Sequence, residues 1–196
     1  MTSTVALSGA VAVVAHIEGP HLHIASCGDC VAVLGSLSEN DTWIAKKITT
    51  DHNTDNQKEI QRIMEKHPGE QKRSIFQGDR LLGMLAPLRA FGDFRFKWKA
   101  DVIEKTVGPM LKNLGQVAVP KYYKNPPYLS VEPDLFTHRL TPKDKFLVIG
   151  SDGLWDMMTP MQVQIHSRLY NLSPNYKLTN SYFRLFALWV STCKAR

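Results

Sequence analysis

Cysteine is scarce here: three residues in 196, at Cys27, Cys30 and Cys193. An odd, low count argues against a disulfide framework and for a reducing compartment. No apolar run approaches the roughly 18 residues that cross a bilayer. The most apolar late stretch, Phe183 to Val190, is short and interrupted by Arg184, so no membrane span is expected. Zinc-finger spacing, a basic zipper pattern and an aromatic RNA-binding signature are missing too, and nucleic acid is not expected as a partner. The first fifteen residues carry no basic region ahead of their apolar run. They read as a strand rather than a signal or transit peptide. Internal repeats, low-complexity tracts and a linker that would divide the chain are also absent.

What is present suits an ordinary globular protein. Hydrophobic residues make up 43% and charged residues 21%, with a mean hydropathy of −0.22. Lys and Arg number 24 against 18 Asp and Glu, a net charge of +6. That balance favours anionic partners, although the basic residues are scattered in short groups such as Lys97-Trp98-Lys99 and Lys121-Tyr122-Tyr123-Lys124.

The first forty residues read as a meander of strands over Ala10–Ile17, His21–Ser26 and Val31–Leu34. Turns at Glu18-Gly19-Pro20 and Cys27-Gly28-Asp29-Cys30 join them. Leu22 and Ile24 alternate with His21 and His23, which sets the two histidines together on the face away from the core. A helix is expected from a capping box at Thr54-Asp55-Asn56-Gln57, with Ile60, Ile63 and Met64 on its buried face and His67-Pro68-Gly69 as its stop. Phe94 to Pro127, rich in Lys, Tyr and Pro, reads as a surface insertion with a short helix near Ala100–Lys105. Strand character returns over Tyr128–Leu140. Phe146 to Ile149 is a continuous apolar run, as in a strand buried on both faces. A further helix, Pro160 to about Tyr170, is capped by Thr159 with Gln162 at its third position.

Two carboxylates stand out by placement. Asp152 follows the buried strand within Gly150-Ser151-Asp152-Gly153, and Asp29 sits in the turn between two strands. Oxygen donors at strand ends suit Mg²⁺ or Mn²⁺. Turn-forming Asp-Gly pairs explain each position alone equally well. Cys27 and Cys30 have C-x-x-C spacing but do not open a helix, and no second ligand pair accompanies them, so they read as small buried residues. His16, His21 and His23 lie on strands without a ligand motif, and Trp155 and Trp189 read as packing residues.

A series of short motifs supplies the functional reading. Ser8-Gly9-Ala10, Ala25 to Asp29, Thr50 to Asn53, Leu88 to Asp93, Val131-Glu132-Pro133 and Asp144 to Asp156 succeed one another in order. This succession resembles the type 2C metal-dependent Ser/Thr protein phosphatases over about Val5 to Leu169. RAFGDFRFKW (Arg89 to Trp98), paired with YYKNPPYLSVEPDLFTHRL (Tyr122 to Leu140), is similar to the pyruvate dehydrogenase phosphatase branch of that family. The resemblance implies an α+β fold, part of a four-layer αββα sandwich, and a two-metal Mg²⁺ or Mn²⁺ centre that activates water. Asp152 would then be a ligand of the core metal pair and Asp29 of an additional metal. Ser8, Asp51, His52, Arg89, Asp93 and Glu132 fall at motif positions that read as scaffold. It also implies a phosphoprotein substrate, the E1 component of the pyruvate dehydrogenase complex, and the mitochondrial matrix as location.

The sequence departs from the family pattern in two places. It contains no Asp-Gly-His, its one Asp-Gly being Asp152-Gly153, and after Tyr170 it does not follow the family. The expectation is a partial catalytic domain over 1–170 with a divergent segment over 171–196. On that expectation the chain alone has no appreciable phosphatase activity. The alternative is a phosphatase-like module that binds without hydrolysis.

Overall fold

The computed structural model describes residues 6–113, 115–162 and 184–187, the last four as backbone only. These residues fall into two compact units interleaved along the chain. One holds residues 6–12 and 52–132; the other holds 13–51, 133–162 and 184–187.

The second unit is built on two sheets. After the short β1 (Gly9–Ala10) of the first unit come β2 (Ala12–Glu18), β3 (His21–Cys27), β4 (Val31–Leu37) and β5 (Trp43–Lys47). Strands β9 (Asp134–Arg139), β10 (Asp144–Gly150) and β11 (Arg184–Ala187) follow much later. One sheet has the order β2-β3-β9, the other β11-β10-β4-β5. Leu22, Ile24 and Phe136 of the first sheet and Ala32, Leu34 and Leu147 of the second share one apolar cluster, so the two sheets pack face to face. The outer side of β10 is covered in turn: Phe146 and Val148 pack against Leu154 and Trp155 of the helix Asp152–Trp155. The expected sandwich and the two-sided burial of β10 are both present. Residues 184–187 pair parallel to Phe146–Ile149 and extend that sheet.

The expected meander needs correction. β3 and β4 belong to different sheets, so Cys27-Gly28-Asp29-Cys30 is an arch between the layers rather than a hairpin turn. Local sequence cannot separate the two, because both need a tight reversal; Gly28, at φ 102°, serves either one. The strand expected over Tyr128–Leu140 is confined to Asp134–Arg139.

In the other unit the helix Gln57–Lys66 buries Ile60 and Ile63 against Ile75, Leu81 and Leu88. Its N-cap is Asn56, whose side chain accepts from the Lys58 N–H, and not Thr54. The Thr54 hydroxyl donates instead to the Asp79 carbonyl at 3.1 Å. Short strand pairs join β6 (Phe76–Gln77) to β7 (Arg80–Leu81) and β1 to β8 (Phe91–Gly92). The helix expected near Ala100–Lys105 spans Ala100–Thr106. The segment around it is more than surface, since Ile103, Val107, Leu111 and Ala118 form their own buried cluster. At Thr159 the expected cap is in place: its hydroxyl accepts from the Gln162 N–H at 3.3 Å, and the Gln162 side chain accepts from the Thr159 N–H at 2.8 Å. The rest of that helix, Trp189 and Cys193 lie outside the described residues. None of the described helices is long and apolar enough to cross a membrane.

Candidate metal centre

The pairing of β4 with β10 decides where the two candidate carboxylates stand. Val31, the first residue of β4, lies opposite Gly150, the last of β10. Asp29 precedes the one by two residues and Asp152 follows the other by two. The register therefore carries both to the same end of this strand pair.

Each is held by its surroundings. Beyond Gly150 the chain turns sharply into the helix Asp152–Trp155, capped by an extended Ser151. The Trp155 indole Nε1 donates to the Gly150 carbonyl at 3.0 Å. A side chain at 150 has no room, since its Cβ would come within 2.6 Å of Leu154 Cδ2. The glycine is thus a condition for the close helix–strand approach that sets Asp152 in place. The Asp152 carboxylate is exposed, and its Oδ1 accepts from the Gly153 N–H at 2.8 Å, which orients the group. Asp29 is half-buried, between two buried cysteines that are not bridged to each other.

A third carboxylate was not singled out from sequence. Asp134 opens β9 opposite Ser26, next to Cys27 at the end of β3 that runs into the Asp29 arch. Its signal was available: an Asp after Pro133, at the start of an alternating strand. A cavity of about 210 Å³ opens beside it, lined in part by Ser26, Thr49 and Phe136. As oxygen donors, Asp29 and Asp152 fit a hard divalent cation, which retains most of its waters and needs only one or two carboxylates. Among the described residues, no three His, Cys, Asp or Glu side chains converge on a common metal position.

Residues expected to be scaffold make hydrogen bonds and ion pairs. Arg89 is buried and ion-paired to Glu59 through Nη2 and Oε1 at 2.5 Å, and its Nη1 donates to the Glu132 carbonyl at 2.8 Å. Burial pushes the Glu59 carboxyl up, but hydrogen bonds from Arg89 and Arg62 overcome it and hold the pKa at about 2. The Asp93 N–H donates to the Ser8 carbonyl at 3.0 Å. Its buried side chain lies where a Cβ on Gly9 would be, 1.7 Å from Oδ2. Burial raises Asp93 to about 6 against the opposing pull of Lys97. The His52 carbonyl accepts from the Leu88 N–H at 2.6 Å, and Asp51 pairs with Lys47 at 2.5 Å.

Residues 1–167 match the family described as Protein phosphatase 2C. The chain is 47% identical over 159 residues to a human protein named [pyruvate dehydrogenase [acetyl-transferring]]-phosphatase 2, mitochondrial; the match covers 79% of this chain and 30% of that one. It is 34% identical over 166 residues to the phosphatase 1 of that name from Saccharomyces cerevisiae, covering 81% and 28%. The chain thus spans about 30% of the length of the curated relatives it matches. Among solved structures, a serine-threonine phosphatase 2C from Toxoplasma gondii is similar at a TM-score of 0.51 and 23% identity, over 82% of this chain and 48% of that one. A C. elegans sex determining protein is similar at a TM-score of 0.53 and 20% identity, over 84% and 32%. These two likenesses concern the fold.

Proposed function

The chain belongs to the protein phosphatase 2C family, and from that premise we propose that it carries part of a metal-dependent protein serine/threonine phosphatase. Its substrate would be the phosphorylated E1 component of the pyruvate dehydrogenase complex, in the mitochondrial matrix. The observation that carries this reading is the 47% identity over 159 residues to a named mitochondrial pyruvate dehydrogenase phosphatase, beside a family match over residues 1–167 that includes both strand-end carboxylates. Residues 1–170 would be part of the catalytic domain, and 171–196 a divergent segment that still adds a strand through Arg184–Ala187.

Asp152 would ligate the core Mg²⁺ or Mn²⁺ pair and Asp29 an additional ion. Bound there, such ions supply acidified water and neutralise phosphoryl charge. The chain's own part is positional. The Gly150 turn fixes where Asp152 starts its helix, the Gly153 N–H orients its carboxylate, and the inter-sheet arch holds Asp29 at the same strand end. Among the described residues no third ligand converges with them, and two carboxylates make a weak cage. The 196-residue chain alone is therefore expected to show no appreciable hydrolysis of a phosphoserine peptide.

The same observation favours a second reading, a module that binds phosphoprotein without hydrolysis. Mn²⁺ titration by calorimetry, run beside phosphate release from an E1-derived phosphopeptide, separates the two. The metal role predicts that Asp152→Asn weakens Mn²⁺ binding at least about tenfold, with a smaller loss in Asp29→Asn. Unchanged affinity in both variants overturns the assignment. Peptide binding with no release above that of Asp152→Asn supports the module.

A further inference from the structure

The inner faces of the two sheets turn from apolar to polar toward the Asp29 end of β3. Leu22 and Ile24 face the other sheet, and alternation places Ser26 on that same face. On β9 Phe136 packs inward, so alternation also turns Asp134 inward, beside its register partner Ser26. Past β5 the chain continues along the same ladder. The Ile48 N–H donates to the Ala32 carbonyl at 2.9 Å, and the Thr49 hydroxyl accepts from the Ala32 N–H at 3.0 Å. Together these residues line the cavity of about 210 Å³ noted above. Ser26 and Thr49 are buried and Asp134 is half-buried, while Thr50 and Leu135 are exposed at the rim.

We propose that this cavity is a subsite for an arginine side chain of the phosphoprotein substrate, its role toward substrate resting on the phosphatase reading above. The first argument is size. Whole small-molecule ligands occupy about 300–1,000 Å³, so this smaller cavity suits a single side chain rather than a free cofactor.

The second argument is chemistry. The lining combines one carboxylate, three hydroxyl side chains and apolar walls from Ile24, Ile48 and Phe136. A guanidinium offers only donors, in a planar fork that a carboxylate accepts two at a time. A hydroxyl oxygen has two lone pairs, so Thr49 can accept a further donor beside the Ala32 N–H. The apolar walls suit the methylene stem. Arginine is favoured over lysine because its more weakly hydrated head gives up less solvation on entering a half-closed site.

The third argument is placement. Ser26 precedes Asp29 by three residues, which puts their Cα atoms at most about 10 Å apart. An extended substrate advances about 3.3 Å per residue, so an arginine about two or three positions from the phosphoserine comes level with the cavity.

Amide NMR titration of the full 196-residue chain with N-acetyl-arginine methylamide tests the cavity without metal or phosphate. The expected result is saturable shifts centred on Ser26, Thr49 and Thr50. Binding should be at least about fivefold weaker for the citrulline analogue, which keeps the shape and loses the charge. Asp134→Asn should remove most of that preference, with its melting temperature confirming an intact fold. A second arm measures fluorescence anisotropy of phosphoserine peptides in Mn²⁺. Arginine placed about two or three positions from the phosphoserine, on one side or the other, should bind at least about fivefold tighter than citrulline there. Equal binding of the arginine and citrulline probes, shifts centred away from the cavity, or an undiminished preference in Asp134→Asn overturns the proposal. Arginine held in the cavity with no preference among the phosphopeptides overturns its role toward substrate. Phosphopeptides that bind no better than their unphosphorylated forms overturn the phosphatase reading and that role with it, while the first arm still decides the cavity.

Discussion

The two units bury charge very differently. In the sandwich the shared cluster is Leu22, Ile24, Ala32, Leu34, Ile48 and Leu147, all apolar, and among the described residues its buried charge is Asp144, which bonds Ser36, His138 and Thr141. The other unit buries Ile63, Leu81 and Leu88 together with Glu59, Glu70, Arg89 and Asp93. There Glu59 takes hydrogen bonds from Arg89 at 2.5 and 3.0 Å and from Arg62 at 2.8 and 3.1 Å. Tyr128 donates to Glu70 at about 2.9 Å and accepts from the N–H groups of Lys124 and Asn125, while His67 stacks on its ring at 4.4 Å. A sheet sandwich closes mainly by apolar area, since strand pairing satisfies its backbone. A unit of short helices and two-residue strands has fewer such pairs, and side chains supply the missing partners.

The sharpest way to break this contrast is to remove a charge from the core of the unit that holds residues 52–132. Arg89→Ala should cost about 3–5 kcal/mol in urea unfolding, because it strips the buried Glu59 carboxylate of its main partner. Glu59→Leu/Arg89→Met should cost distinctly less, since it leaves no orphaned charge. Leu147→Ala tests the other side, with an expected loss of about 2–5 kcal/mol from the cavity it opens. If Arg89→Ala proves milder than any apolar truncation in the sandwich, the contrast fails. Tyr128→Phe comes next at about 1–3 kcal/mol, because it leaves Glu70 and two backbone N–H groups without their shared hydroxyl.

The smallest effect is a pH dependence in the unit that holds residues 52–132. Asp93 is raised to about 6 from 3.8, so the folded chain holds a proton there that the unfolded chain has released. This group's contribution therefore falls as pH rises from about 4 to 6 and is recovered on acidification through that window. Glu59, lowered from 4.5 to about 2, acts in the opposite sense: its contribution is complete above about 4.5 and fades as pH falls toward 2. Melting temperatures of the parent and Asp93→Asn between pH 4 and 7 should converge at the acid end and separate near neutrality, the variant being the more stable there.

Much of the sandwich was legible in the residues. Leu22 and Ile24 against His21 and His23 announced a two-faced strand, and Phe146–Ile149 announced one covered on both sides; both stand as expected. The arch at Cys27–Cys30 was not legible, because reversal within a sheet and passage between sheets use the same turn residues. Thr54 misled in a similar way: three polar residues in succession could each cap a helix, and its contact with Asp79, 25 residues away, settled which one did. The insertion looked like surface because its apolar residues are spaced among lysines. Burial of Ile103, Val107 and Leu111 depends on two short helices meeting.

From the residues alone, the ordered motifs determined the family, and periodicity determined which faces are apolar. Both are local properties that any fold of this chain must respect. Only the tertiary structure decided that Asp29 and Asp152 share one strand end, through the Val31–Gly150 register, and that Arg89 pairs with Glu59. It alone brought His16 beside His23 across a hairpin. Such meetings depend on strand register and long-range packing, which a one-dimensional pattern constrains but does not specify.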